Sequence, residues 1–182
     1  GIDMSEASSI SAISSLAFSL HRNDAVEIFW KELDRGLQDA FGHKLFTVLA
    51  YDASSGLLGR VYSTQQQFNP VGGRKRVTKS IWTKQVLEDG KVFRGATRED
   101  IKAVFSDYEV LWSIGCESVL NIPIRKRGIV IGSLNLLDGA GHYDEARIEL
   151  AYVFAQLAVT PLEVCGEALQ LDGADSGDLE YV

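Results

Sequence analysis

Apolar residues recur at helical spacing early in the chain and at strand spacing soon afterwards, and this change of period divides the sequence into elements. Ile10, Ile13, Leu16, Ala17 and Leu20 share one side of a helical wheel and serines fill the rest, which predicts a short amphipathic helix before His21-Arg22. Asp24 and Glu27 form a helix-start pattern, the stripe Phe29, Leu33, Leu37 and Phe41 follows, and Gly42 ends it. Residues 44–52 (KLFTVLAYD) then turn to β-branched and aromatic types. They are apolar on both alternating sets apart from Thr47 and the ends, which predicts a strand covered on both faces and central in its sheet. Turn-forming residues 52–56 (DASSG) lead into 58–63 (LGRVYS), the return strand of a hairpin.

The middle of the chain is more broken. Residues 68–76 (FNPVGGRKR) carry Pro70 and a glycine pair and predict no extended regular structure. Ile81, Trp82, Gln85, Val86 and Glu88 ahead of Gly90 predict a helix within 78–89, Val92-Phe93 a brief strand, and Thr97 with Asp100 the start of a short helix carrying Ile101, Val104 and Phe105. Residues 107–114 read as a loop or helical turn. Residues 118–125 (SVLNIPIR), a turn at 126–128, and 129–138 (IVIGSLNLLD) are the strongest hairpin signal in the chain, with Pro123 facing a bulge or a missing neighbour. Asn121 and Asn135 stand in these apolar strands. A three-residue turn would pair Asn121 with Ser133, on the face of Asn135; a two-residue turn would oppose it to Leu134, and the first is preferred. Residues 144–169 read as one long helix, apolar nearly all round from Ile148 to Leu162 and so sandwiched between two surfaces, with Pro161 kinking or dividing it. From Leu171 onward the chain is acidic, through Asp172, Asp175, Asp178 and Glu180, and reads as a disordered tail. Strands grouped in hairpins between helices predict an α+β fold: a twisted antiparallel sheet of five to six strands in a domain over 23–165, preceded by a tail and short helix over 1–22 and followed by a helix end and tail over 166–182.

Composition narrows the function classes. With 25 acidic against 18 basic residues the formal charge is −7, which disfavours nucleic acid and anionic membranes as partners. The 2 cysteines, Cys116 and Cys165, have no C-x-x-C or His-paired spacing, so neither a zinc site nor a disulfide framework is expected, and a reducing, cytoplasmic setting fits. No apolar run approaches the about 20 residues of a membrane-spanning helix, no signal peptide is read, and Gly1 to Asp3, ahead of Met4, read as a cloning remnant. No Ser/His/Asp set, carboxylate pair or metal-ligand cluster can be assembled.

The order of elements, Tyr51-Asp52 closing the first strand, Gly115-Cys-Glu-Ser-Val-Leu-Asn-Ile-Pro-Ile124, and Gly132-Ser-Leu-Asn-Leu-Leu137 together resemble the GAF domain family over about residues 24–162. The resemblance implies a PAS-like fold: helices before and after the sheet packed on one face, and a ligand pocket on the other, covered here by residues 64–115. It also implies a sensory binding module that signals and pairs into a homodimer through its flanking helices. The family includes cyclic-nucleotide regulators, tetrapyrrole photoreceptors, haem sensors and a free methionine sulfoxide reductase. Asn135-Leu136 and Tyr143-Asp144-Glu145 depart from the cyclic-nucleotide pattern, Cys116 lacks the following His of bilin attachment, and His21, His43 and His142 all fall at element ends, unsuited to haem. No cofactor is expected.

The residues expected to line the pocket are Tyr51, Arg60, Tyr62, Phe68, Trp82, Phe93, Trp112, Cys116, Asn121 and Asn135. Arg60 is the first choice for an acidic group on the ligand. Arg74, Lys75, Arg76 and Lys79 gather with it near Gly72-Gly73, which reads either as a solvated loop or as an anion cradle. Asp100 and Asp107 suit a cationic group or simple helix caps. The alternative function is a thiol-dependent reductase acting through Cys116, whose other reading is a small core residue.

Overall fold

The computed structural model describes residues 4–169 and 179–182. Among the described residues seven strands form one sheet: β1 (Leu45–Asp52), β2 (Leu57–Ser63), β3 (Arg74–Arg76), β4 (Phe93–Gly95), β5 (Ser118–Lys126), β6 (Ile129–Asp138) and β7 (Glu180–Tyr181). Their order is β4-β5-β6-β1-β2-β3-β7, antiparallel except for the parallel β3–β7 pair. The α+β class and the central place of β1 are as the sequence predicts. The count exceeds five to six because two- and three-residue edge strands are too short to show a period.

Strand alternation divides the core in two. Phe46, Val48 and Ala50 of β1 face the same side as Leu120, Ile122 and Ile124 of β5 and Leu134 and Leu136 of β6; there they meet Phe29, Leu33 and Leu37 of α2 (Val26–Ala40) and Phe154, Ala155 and Leu162 of the last helices. Leu45 and Leu49 point the other way, with Val119 and Leu137, into a second cluster closed by Trp82, Val86, Ile101, Phe105, Leu111 and Cys116. Each fully buried Leu contributes about 1.5–3 kcal/mol, so a strand covered on both faces anchors two layers at once.

Several local predictions change. Helix α1 runs over Met4–Arg22, longer than its apolar stripe. Asp24 does not cap α2: Ala25 is the N-cap, and the Asp24 carboxylate accepts from Ser19 Oγ at 3.0 Å and Arg22 Nη2 at 2.6 Å. The helix predicted within 78–89 winds as a π-helix over Thr83–Glu88, in which Asp89 N–H reaches back to the Lys84 carbonyl at 2.9 Å. Helix α3 (Arg98–Val104) starts on the predicted capping box, Thr97 with Asp100, and α4 (Tyr108–Ser113) fills the stretch read as a loop or turn. The long last helix begins at Ile148 and is two, α5 (Ile148–Leu157) and α6 (Val159–Leu169), bent by 50°. Pro161 stands in the first turn of α6, where its missing N–H costs no helical bond. Among the described residues no single helix is long and apolar enough to cross a membrane.

The β5–β6 hairpin corrects both predicted registers. Its turn is the two-residue Arg127-Gly128, both at positive φ (52° and 84°), with Lys126 opposite Ile129. A bulge near Ile131 then shifts the pairing by one, so that Asn121 lies directly opposite Asn135. Strand β4 pairs only residues 119–121 of β5, so among the described residues Pro123 has no strand neighbour on that side. The expected disordered tail falls largely on residues outside the description, but its end does not fit that expectation: Glu180–Tyr181 pair with β3, and Val182 is buried.

Candidate functional site

Between the second face of the sheet and its cover lies a small cavity of ≈ 20 Å³, room for a water or two. Its sheet wall carries Leu45, Thr47 and Leu49 of β1, Asn121 of β5 and Asn135 and Leu137 of β6; Phe105, Asp107 and Leu111 close it from the cover. Arg60, Asn69 and Lys75 form the side toward the β2–β3 edge.

The polar floor is a hydrogen-bonded chain. Trp82 Nε1 donates to Asn121 Oδ1 at 2.9 Å, Asn121 Nδ2 donates to Asn135 Oδ1 at 2.8 Å, and Ser133 Oγ donates to that same oxygen at 2.9 Å. Asn135 Nδ2 reaches the carbonyl and hydroxyl oxygens of Thr47, both at 3.3 Å. The bulge makes this possible, since it places the two amides side by side on the pocket face.

The charged side is less complete. Arg60 is 2% exposed; its Nη1 donates to the Pro70 carbonyl at 3.2 Å and its Nη2 reaches Glu180 at 3.5 Å, while its buried Nε–H has no partner among the described residues. Lys75 Nζ sits 4.7 Å from the centre of the Phe105 ring, 3.5 Å from Asp107 Oδ1 and 3.9 Å from Glu180. Among the described residues, both carboxylate oxygens of Asp107 and the Asn69 side-chain nitrogen are buried without a hydrogen bond. A buried polar group left so costs about 1–3 kcal/mol, more for a charge, so this is the least satisfied part of the cavity wall.

Gly72 and Gly73 do not cradle an anion. Gly72 N–H donates to the Arg60 carbonyl at 2.8 Å and Gly73 N–H to the Pro70 carbonyl at 3.1 Å. A Cβ at Gly73 would collide with Arg60 Nη1, so the glycine makes room for the guanidinium. In the run Arg74-Lys75-Arg76 only the middle residue is buried, as strand alternation requires.

Of the ten predicted lining residues, Arg60, Asn121 and Asn135 reach the cavity. Trp82 and Cys116 are buried in the core beside it, and Tyr51, Phe93 and Trp112 pack at the margin of that core. Phe68 is 36% exposed on its loop. Tyr62 is on the wrong face: a bulge at Val61 aligns it with Val48, and its hydroxyl donates to Asp34 of α2 at 2.9 Å. Burial, followed by the Asp34 hydrogen bond and charge, pushes its phenol well above the ordinary range. Thr47 and Asn69 line the cavity with no signal for it in the sequence, and Glu180 belongs to the stretch that reads as a tail. For Lys75 the signal was present in the alternation of R-K-R.

Burial, and then the negative field of Asp138, push the Cys116 thiol up to about 12 against a smaller downward pull from Lys44. Cys165 lies in α6 against the helix-side core, across the sheet. Among the described residues no group of three or more His, Cys, Asp or Glu side chains could hold a metal ion.

None of the curated proteins compared by sequence matches this chain. Among solved structures it is similar to the GAF domain of a phosphoenolpyruvate-protein phosphotransferase from Coxiella burnetii, with 16% identity, TM-score 0.65, and 91% of this chain and 96% of that chain covered. The A. aeolicus nlh2 GAF domain in an inactive state aligns with 14% identity, TM-score 0.66, and 88% and 98% coverage. The chromophore-binding domain of a bacteriophytochrome from R. palustris aligns with 9% identity, TM-score 0.61, over 87% of this chain and 62% of that one. These likenesses establish the fold, and the family profile for the GAF domain matches residues 24–161. With two hairpins at the centre of the sheet, helices on one face and a covered cavity on the other, the chain belongs to the GAF domain family.

Proposed function

We propose that this chain is a non-enzymatic, ligand-binding regulatory domain that holds a small organic molecule carrying an acidic group between the sheet and the cover formed by residues 64–115. The observation that carries this reading is Arg60, a fully buried guanidinium on the cavity wall whose Nε–H has no partner among the described residues. Arginine presents donors in a fixed planar fork suited to a carboxylate.

The cavity of ≈ 20 Å³ is too small for such a ligand as it stands, so binding moves the cover outward. The ligand then favours an open arrangement over the closed one, which is the condition for a signal. Helices α5 and α6 pack on the opposite face of β5, β1 and β2 and receive it. The outer side of α1 leaves Met4, Ile10 and Phe18 exposed at 85%, 53% and 53%, and the proposal includes a homodimer formed through these flanking helices. A light-scattering mass of two chains at micromolar concentration supports the dimer; the mass of one chain removes it.

The reductase alternative requires a thiolate. A thiol at about 12, with its only partner cysteine across the sheet, does not supply one near neutral pH. Native mass spectrometry of the protein taken directly from its source cell tests the binding reading. A bound mass that disappears in Arg60→Met supports it; a ligand-free protein that no carboxylic acid metabolite stabilises against heat overturns it.

A further inference from the structure

The second strand edge of the cavity is closed by a piece of the chain itself. Strand β7 runs parallel to β3 with Glu180 opposite Lys75, and its carboxylate lies 3.5 Å from Arg60 Nη2 and 3.9 Å from Lys75 Nζ. Both separations exceed the about 2.7–2.9 Å of a full charge-assisted hydrogen bond. The Glu180 side chain is 32% exposed, whereas those of Arg60 and Lys75 are 2% and 7% exposed, so the carboxylate enters a buried cationic pair from the solvent side. Among the described residues, two cations, Arg60 and Lys75, therefore meet two carboxylates, Asp107 from the cover and Glu180 from β7. Removing Glu180 leaves this described group with one more cation than carboxylate.

We propose that Glu180 is a resident stand-in for the acidic group of the ligand, and that a carboxylate-bearing ligand binds by displacing it and releasing β7. This rests on the ligand-binding reading of the cavity and adds how the cavity is kept closed. The remaining contacts of β7 give the displacement a consequence. Tyr181 N–H donates to Ser106 Oγ at 2.7 Å and Ser106 N–H to the Tyr181 carbonyl at 3.2 Å, beside Asp107 in the cover. The Val182 carbonyl accepts from Thr78 N–H at 3.0 Å and Thr78 Oγ1 at 2.9 Å, and the Val182 side chain is buried in the pocket-side core. The same short strand thus supplies an anion to the cationic pair and latches the cover at two points. A tethered competitor lowers the apparent affinity of a free one in proportion to the fraction of chains in which it has left the site.

The test uses the whole chain and its Glu180→Gln and Glu180→Ala variants, with glutarate and acetate as probes at constant ionic strength. Calorimetry is expected to show at least a ten-fold gain in affinity for glutarate in both variants. Hydrogen exchange is expected to show that glutarate deprotects the Thr78, Ser106 and Val182 amides of the unaltered chain. The paired variants guard against one of them folding poorly, and circular dichroism reports this. Equal affinities in all three proteins, or no binding of either probe to a folded variant, overturns the stand-in role, as does glutarate binding that leaves the three amides protected. Each of these failures leaves the binding reading to its own test, the mass carried from the source cell.

Discussion

At the scale of single residues, the two strand asparagines show how a polar group survives in an apolar layer. Asn121 both accepts from Trp82 and donates to Asn135, so Asn121→Ala orphans the Trp82 indole N–H as well as removing one bond to Asn135. The expected loss is about 1–3 kcal/mol, read as a lower urea midpoint. In a Trp82→Phe background the same substitution should cost less, because its indole partner is already gone. Cys116 gives a pH signature. Its thiol rises from an ordinary value near 9 to about 12 on folding, so the folded state holds this proton more tightly than the unfolded one. The resulting stability is fully present below about pH 9 and is lost as pH rises toward 12. Alkaline titration of the melting temperature should therefore fall less steeply for Cys116→Ala than for the unaltered chain, and iodoacetamide at neutral pH should leave Cys116 unlabelled until urea is added.

At the scale of elements, the β5–β6 hairpin leaves no room for a side chain where Gly132 faces β1. A Cβ at Gly132 would collide with the Leu49 carbonyl oxygen and with Leu162 of α6, so Gly132→Ala must push β6 from β1 or the helix from the sheet. A loss of about 3 kcal/mol or more is expected by urea denaturation. Thr97→Ala should cost about 1 kcal/mol by the same measure, since it removes one half of the capping box of α3. These two elements also mark what the sequence makes legible. Capping and hairpin signals depend on neighbours within a few residues, so α3, both central hairpins and the break near Pro161 could be read directly. The Asp24 pattern looked equally good, but Ser19 and Arg22 compete for that carboxylate. The bulge near Ile131 has no composition signal of its own, and without it the pairing of Asn121 with Asn135 could not be foreseen. Tyr62 was misplaced for the same reason, one bulged residue at Val61 turning it to the helix face. Glu180 was missed because a two-residue strand is specified by its partner rather than by itself.

At the scale of the whole molecule, stability should be graded across the sheet, and the gradient bears on function. Strands β1 and β6 are paired on both edges and buried on both faces, so opening them disrupts two cores at once. Outward along the sheet the strands shorten to three residues in β3 and β4 and two in β7, and the cover is built from helical segments of six or seven residues. Local opening there exposes less apolar surface and breaks fewer backbone bonds, so it requires only a fraction of the global unfolding free energy. The proposed ligand-binding role requires this distribution, because the cavity of ≈ 20 Å³ admits no organic ligand unless the cover leaves while β1 and β6 stay in place. Native-state hydrogen exchange should therefore show the slowest amides at Phe46, Val48, Leu134 and Leu136, exchanging only through global unfolding. Amides in α3, α4 and around β7 should exchange by local opening, with little dependence on denaturant. If the cover amides are instead as slow as those of β1 and share their denaturant dependence, the cavity opens only when the whole domain unfolds, and ligand entry by movement of the cover is ruled out.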